Sequence, residues 1–437
     1  MNTIAIDCGA SFIKGALFQD DVIIRRTQRQ SPVVHRNEGL LEPVQINHLL
    51  PMVKDLILDL VSDVDDFRLC ISNEMHGFIL AYQDGSPYTD YISWQKEYGN
   101  EMIDGKTSVE ILSKVELADD IVKTGMPLRG GLPSSNMLYL KRKSLLSESL
   151  LSFYTLGDYI IRRLSGQEPV CHPTNAAATG LYDVVNNKWN DNLLCIVSSD
   201  SVTYPIVGIT PLEFELGKHH VTCFPALGDQ QAALYGAGFE NEGDISFNLG
   251  TGAQVSKLTR NIELSNKYQI RPYFKGYYLQ SIPHLPSGRA LNVFFRFFKD
   301  VLNTFGYELS EEEIWRRLLD KENKCEHSSL SVDLSFFQTP LAGYQVGSIG
   351  NIGEYELTVG KLMKAIISQM ASNFVKIAQI VEPEKSKVRR IVFSGGLARR
   401  IAPLREGIIS YYGDTIPVIV SKDETLIGLN KYGEYGN

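Results

Sequence analysis

A mixed α/β fold assembled from two similar halves is what this chain predicts, and three stretches of sequence predict it. They are Ile4-Ala-Ile-Asp-Cys-Gly-Ala-Ser-Phe-Ile-Lys14, Ile245-Ser-Phe-Asn-Leu-Gly-Thr-Gly-Ala-Gln-Val255 and Ile391-Val-Phe-Ser-Gly-Gly-Leu-Ala-Arg399. Each opens on a β-prone apolar run and breaks into glycine and small hydroxyl residues. In the first two the apolar run then resumes, as it does in a hairpin. The same design recurs more than 200 residues along the chain, which argues for a repeated domain.

In the first half, residues 4–8 and 12–18 read as a hairpin around Gly9-Ala10-Ser11, and residues 22–29 add a third antiparallel strand. Residues 49–61 carry the apolar spacing of a helix, and residues 67–71 return as a strand. Strands, helix, strand is the order of a mixed sheet. A second helix is predicted over 150–164, ended by Ser165-Gly166. The second half restarts the recipe. Residues 244–249 and 253–257 flank Gly250-Thr251-Gly252. A long helix over 361–381 aligns Leu362, Ile366, Met370, Phe374, Ile377 and Val381 near one face, and Pro383 stops it. Residues 388–394 form a strand and 402–411 a helix. The boundary falls in the zone 220–245 and is drawn between residues 226 and 227, so that Leu227-Gly-Asp-Gln-Gln231 opens the C-terminal domain.

Composition narrows the class. The 437 residues are 43% apolar and 22% charged, as in globular proteins, and too many for one ordinary core. A net charge of −8 supplies no basic excess for phosphate backbones, so no nucleic-acid partner is expected. No apolar run approaches the length of a membrane span. The six cysteines form no C-x-x-C pair and sit mostly in apolar runs, which fits reduced thiols and a cytoplasmic location. The aromatic run Val293-Phe-Phe-Arg-Phe-Phe298 reads as core in preference to an oligomer contact, with a homodimer left open.

Turns of this kind leave backbone N–H groups facing outward, where they can hold an anion. Neither the G-x-x-x-x-G-K-[ST] loop nor G-x-G-x-x-G is present. Asp7, at a strand-to-turn junction, can hold Mg²⁺ or hydrogen-bond its own turn. Ser11, nearby N–H groups and Lys14 can face phosphates. Gly250-Thr251-Gly252 and Gly395-Gly396 read equally as phosphate or adenine surfaces and as tight turns. Together the three motifs suggest a nucleotide held by two similar halves.

Taken with further segments in the same order, the motifs resemble the FGGY family of carbohydrate kinases nearly end to end. Ser72-Asn-Glu-Met-His-Gly77 and Ser93-Trp-Gln95 resemble the family's sugar-contacting segments. Gly157-Asp-Tyr-Ile-Ile-Arg-Arg-Leu-Ser-Gly166, Asn175-Ala-Ala-Ala-Thr-Gly-Leu-Tyr-Asp183 with Trp189-Asn190, and Glu424-Thr-Leu-Ile-Gly428 resemble others. Gly228-Asp-Gln-Gln231, followed by Gly236 and Gly238, resembles the segment that carries the catalytic aspartate. The resemblance implies two duplicated ribonuclease H-like (actin-like ATPase) domains with an interdomain cleft, and transfer of the γ-phosphoryl of ATP to a sugar hydroxyl.

By that resemblance Asp229 is the general base, accepting the proton of the attacking hydroxyl. Glu74, Met75, His76, Trp94 and Gln230 would contact the sugar. Asp7 and Asp229 would serve Mg²⁺. Gly9, Ala10, Ser11, Lys14, Gly250, Thr251 and Gly252 would face the phosphates, and Gly395, Gly396 and Arg399 the adenosine. The sugar segments look closest to the sedoheptulokinase-like branch, with xylulose and ribulose as close alternatives. Several positions depart from the family pattern. Lys96-Glu97-Tyr98 follow Trp94-Gln95 where an Asp and then an Arg are usual. Asn73-Glu74 replace the usual Gly and Gln, and Ala10-Ser11 replace paired threonines. These changes alter the charge of the sugar pocket. A non-catalytic sugar or nucleotide sensor on the same fold is the alternative of another class, and an ATPase acting on protein partners is a third.

Overall fold

The computed structural model describes residues 2–32, 44–61, 64–250, 252–336, 346–413, 416, 418–420 and 423–435. It divides into two compact units. The first contains residues 1–238, 260–278 and 423–437, and the second residues 239–259 and 279–422.

In the first unit, strand β1 (Asn2–Cys8), β2 (Phe12–Gln19) and β3 (Val22–Gln30) form the antiparallel meander predicted from the glycine turn. Helix α1 (Val44–Leu60) follows, and β4 (Asp66–Asn73) returns parallel to β1. The strand His219–Cys223 continues the parallel sheet beside β4, with Leu212–Leu216 antiparallel at the edge. The two-residue strand Leu227–Gly228 also pairs parallel with β4. Leu49, Val53, Leu56, Ile57 and Leu60 of α1 are fully buried against Ile4, Ile6, Leu69 and Ile71 of the sheet, the burial that makes a 3.6-residue stripe worth forming.

The second unit repeats the pattern. Asp244–Leu249 and Gly252–Thr259 are antiparallel, and Arg390–Ser394 is parallel to the first of them. Val418–Val420 lies parallel beyond it, and Tyr278–Pro286 lines the other side. The long helix runs Val359–Val381 with Leu362, Ile366, Met370, Phe374 and Val381 buried, and it ends before Pro383 as predicted. In the helix Gly288–Thr304, Phe294, Phe295 and Phe298 are buried. Each unit thus carries the ribonuclease H-like arrangement of a three-strand meander continued by parallel strands.

Two expectations differ from the structure. The helix expected over 150–164 begins only at Leu156; Leu151–Tyr154 is a strand paired antiparallel with Ile79–Tyr82. The Thr155 hydroxyl caps the helix by accepting from the Asp158 N–H, so the chain changes structure at a cap that periodicity alone does not register. The boundary drawn at 226/227 also differs from the contact-defined units. Helix Asp229–Gly236 lies in the first unit, where it packs against the helix Glu424–Tyr435.

That packing is unusually close. A Cβ added at Gly428 would stand 1.9 Å from the Ala232 carbonyl oxygen, and one at Gly236 would stand 1.7 Å from the Glu424 carbonyl oxygen. Only hydrogen fits at either position. Gly428→Val is therefore expected to destabilise the protein by about 3 kcal/mol. Chemical denaturation monitored by circular dichroism measures this, and an unchanged midpoint would refute the helix contact.

Candidate functional site

The site grows from the carboxyl ends of three parallel strands, where open α/β sheets collect their ligands. Register places Asp7 opposite Ser72, and Ser72 opposite Leu227. One residue further, Cys8, Asn73 and Gly228 line up, and the chain then turns into Glu74 on one strand and Asp229 on the other. The Glu74 N–H donates to the Cys8 carbonyl at 3.2 Å, extending the ladder by one bond.

Asn73 fastens this edge. Its amide Nδ2 donates to the Glu74 carbonyl at 2.6 Å, while its Oδ1 accepts from the Gly157 N–H at 3.2 Å and from Asn175 Nδ2 at 3.0 Å. Asn175 also donates to the Ala226 carbonyl at 2.8 Å, and Thr174 Oγ1 accepts from the Gly228 N–H at 3.1 Å. The buried Asn73, Asn175 and Thr174 thus hold the residues just before Asp229 against the residues just before Glu74. Asn73 takes a place where a glycine is usual in the family pattern, and here it carries structure.

Three carboxyl groups meet in this region. Asp7 is buried and accepts from Ser72 Oγ at 3.0 Å; burial raises its proton affinity, opposed by the Ser72 bond and by Lys14 across the β1–β2 pair. Burial pushes the Glu74 carboxyl up to about 7; the Tyr91 hydroxyl opposes this and the Asp229 charge adds to it. Asp229 is half-buried at the start of helix Asp229–Gly236 and accepts the Gln230 N–H at 2.8 Å. The protein packed around its carboxyl, and then the Asp7 charge, push it up to about 7. Desolvation raises all three, and a neighbouring acid adds to it at Glu74 and Asp229. Among the described residues no cluster of three or more His, Cys, Asp or Glu side chains forms a metal site.

Met75 and His76 lie beside Asp229 through the next residue, Gln230. A Cβ at Gly228 would stand 2.7 Å from Met75 Sδ. Arg271, on the strand Gln269–Pro272, reaches Met75 Sδ, Gln230 Oε1 and His76 Nε2, each at 3.4 Å. His76 adopts a left-handed backbone with φ of 67°. Its Nδ1 donates to the Ala178 carbonyl at 2.7 Å, which leaves Nε2 as the acceptor. Arg271 is 1% exposed and was not foreseen from the sequence. Its only local signal is an arginine in the apolar context Tyr268-Gln-Ile-Arg-Pro272. Trp94 is 43% exposed, and no contact among the described residues joins it to His76 or Asp229.

The turns are placed as follows. Gly9 and Ala10 are half-buried, while Ser11 and Lys14 are exposed. The Gly9 N–H is spent within the hairpin, donating to the Phe12 carbonyl at 3.2 Å, so that N–H is not turned outward as the motif suggested. In the second unit Gly250 and Gly252 flank Thr251, which lies outside the described residues, and Gly252 opens its strand. Gly395, with φ of 88°, precedes the short helix Gly396–Arg400; Arg399 is exposed. A Cβ at Gly395 would stand 2.5 Å from the Leu249 carbonyl oxygen. The strand ends therefore approach as closely here as they do in the first unit. The register makes Asn248 with Ser394 the counterpart of Asp7 with Ser72. One copy of the repeat carries an acid where the other carries an amide.

Two ribonuclease H-like sheets, each with a glycine turn after its first strand and with acids gathered at the strand ends of one, make up the actin-like fold. The comparisons with known proteins agree. Residues 2–207 match the N-terminal domain model of the FGGY family of carbohydrate kinases. The chain is 20% identical over 376 residues to a sedoheptulokinase of Mus musculus, covering 77% of this chain and 75% of that protein. Its fold matches a ligand-bound xylulose kinase from Lactobacillus acidophilus with a TM-score of 0.81 at 18% identity, over 100% of this chain and 90% of the other. It also matches a Plasmodium falciparum glycerol kinase with ADP, with a TM-score of 0.75 at 16% identity, over 98% and 88%. Residues 2–207 thus carry the N-terminal domain of the FGGY family of carbohydrate kinases. No described helix is long and apolar enough to cross a membrane.

The raised Asp229 carboxyl has a consequence for stability. Its folded value of about 7 lies above the ordinary 3.8, so the fold favours the protonated form. Stability from this group is present below about pH 4 and is lost as pH rises to about 7. Without ligands, Asp229→Asn should be more stable than the natural chain at pH 7.5 by on the order of 1 kcal/mol, allowing for solvent screening. The gap should close toward pH 4. Thermal melts at four pH values test this, and a gap that widens on acidification would contradict it.

Proposed function

We propose that the chain transfers the γ-phosphoryl of ATP to a hydroxyl of a small ketose-type sugar held beside Asp229, with Asp229 as general base. The observation that carries this reading is the Asp229 carboxyl itself. It sits at a helix start one residue from Gln230 and beside Met75 and His76, with its proton affinity raised to about 7. An alcohol is a poor nucleophile, and a carboxylate tuned to neutral pH is well matched to take its proton late in a loose transition state. The neutral His76, with Nε2 as acceptor, and the Gln230 amide supply hydroxyl contacts, and Glu74 adds a carboxyl at the same edge. Trp94 offers an exposed ring for the C–H face of a sugar.

Mg²⁺ fits the donors present. Asp7 and Asp229 are close enough for the charge of one to raise the other, and a divalent cation would relieve that repulsion. Mg²⁺ takes one or two carboxylates and completes its shell with water and phosphate oxygens. When bound, it would neutralise charge on the transferred phosphoryl group. Gly9, Ala10, Ser11 and Lys14 in the first unit, and Gly250, Thr251 and Gly252 in the second, are assigned to the phosphates. Gly395, Gly396 and Arg399 are assigned to the adenosine. Among the described residues no hydrogen bond engages the N–H of Ala10 or Ser11, which leaves both for phosphate oxygens. A seven-carbon ketose phosphorylated on its terminal hydroxyl is the first substrate to test, with xylulose and ribulose next.

Asp229→Asn should lower kcat with any accepted sugar by about 10³-fold, while the Kd for ATP changes less than about threefold. ADP-release kinetics and calorimetric titration measure the two. Turnover at the natural rate would remove Asp229 from its role. Asp7→Asn should raise the Mg²⁺ concentration needed for half-maximal activity by about tenfold or more; an unchanged Mg²⁺ titration would free Asp7 of metal.

A further inference from the structure

The Arg271 guanidinium is one of the largest fully buried side chains in the protein. A buried cation is stable only beside a counter-charge or with its donors fully used. Neither holds here among the described residues. Its three contacts, to Met75 Sδ, Gln230 Oε1 and His76 Nε2, are all to neutral atoms and all at 3.4 Å. That distance is ordinary to sulfur but long for a hydrogen bond from a cation to oxygen or nitrogen. Its Nε has no hydrogen-bond partner, and neither has the Gln230 Nε2 amide, which is also buried.

The neighbours do not supply the missing charge. His76 donates from Nδ1 to the Ala178 carbonyl, so the ring is neutral when Nε2 accepts from Arg271. The Asp229 charge acts on Arg271 and favours its charged form, yet no ion pair among the described residues includes Arg271. A second cation, Arg129, acts on Arg271 and lowers its hold on its own proton, after burial, to about 9. Arg271 therefore remains charged at neutral pH, in a place that already disfavours positive charge. Two unused donors and one cation without an ion pair converge beside Asp229.

We infer that the acceptor carries an anionic group, a carboxylate or a phosphate, beside its hydroxylated chain, and that Arg271 with Gln230 selects it. The inference rests on the reading of Asp229 as the acceptor-side base. A planar guanidinium matches either anion through two parallel N–H bonds. A pocket built around an ionic partner rejects the neutral analogue, because binding it leaves the cation buried and unpaired. A ketose oxidised to a keto acid, a simple sugar acid or a sugar monophosphate would each satisfy the site. The acidic residue Glu74 opposes this less than an ordinary carboxylate would, since burial pushes its carboxyl up to about 7.

The test is ADP release by the full chain with MgATP across matched acceptors. Glucitol is compared with gluconate, fructose with 2-ketogluconate, and fructose with fructose 6-phosphate. The expected result is a kcat/KM for at least one acidic member about 10- to 100-fold above its neutral partner. Preference among the sugar acids identifies a carboxylate, and preference for the phosphate ester identifies a phosphate. Arg271→Met should remove that advantage, mainly through KM, costing the acidic acceptor about tenfold or more beyond what its neutral partner loses; Arg271→Lys should keep part of it. Neutral acceptors that match or exceed their acidic partners would overturn the inference, as would equal loss of both in Arg271→Met. If Arg271→Met fails to fold by circular dichroism, the natural chain's acceptor series decides alone. Turnover of neutral sugars without acid preference sinks only this inference. Natural turnover in Asp229→Asn sinks the reading beneath it.

Discussion

The parallel registration of β1, β4 and the two residues Leu227–Gly228 is the constraint on which the site depends. Side chains alternate along a strand, so a slip of one residue would turn every one of them to the opposite face. With Asp7 opposite Ser72 and Gly228 opposite Asn73, the three strand ends finish level and Glu74 and Asp229 emerge side by side. The buried apolar residues of β1, β4 and α1 enforce that register. The Asn73 amide then ties the ends together through the Glu74 carbonyl, the Gly157 N–H and Asn175. A packed core sets the coarse alignment and one fully engaged amide sets the fine one.

What the alignment collects is charge that the fold alone does not balance. Asp7, Glu74 and Asp229 all hold their protons more tightly than ordinary carboxylates, while Arg271 stands on the far side of Gln230 with neutral contacts. Such a distribution is costly in an empty protein and natural in one that binds a metal nucleotide and a small polar acceptor. The second unit repeats the backbone without repeating the burden. Its equivalent position is Asn248, paired in register with Ser394. The two copies share geometry and differ in charge: one gathers acids at its strand ends, and the other carries an amide at the equivalent position.

The legible part of this arrangement was local. The β1–β2 hairpin, its counterpart at 244–259 and the long helix ending before Pro383 are written in apolar periodicity and glycine punctuation. Asp229, Met75 and His76 stood out because each sits in a short segment of recognisable order. The strand Leu151–Tyr154 did not, because its apolar residues also suit a helix and its identity comes from pairing with Ile79–Tyr82. Arg271 lies 41 residues from Gln230 and 195 from His76 in sequence, so no local pattern announces it. Its strand is located by the Ile270 N–H bonded to the Gly125 carbonyl at 2.8 Å. The unit boundary was obscured for the same reason, since the helix that completes the first unit arrives from residues 424–435.

That returning helix has a consequence for how the chain is made. The first unit begins with β1 but closes only when Glu424–Tyr435 packs against the helix that starts at Asp229. During synthesis its sheet can form early, yet the face of helix Asp229–Gly236 that carries Gly236 has no partner until nearly the whole second unit has been translated. Domains that fold as they emerge normally finish in order. Here the unit that begins first closes after the second, and the strand ends that present Asp7, Glu74 and Asp229 gain their full support only once residues 424–435 have been made.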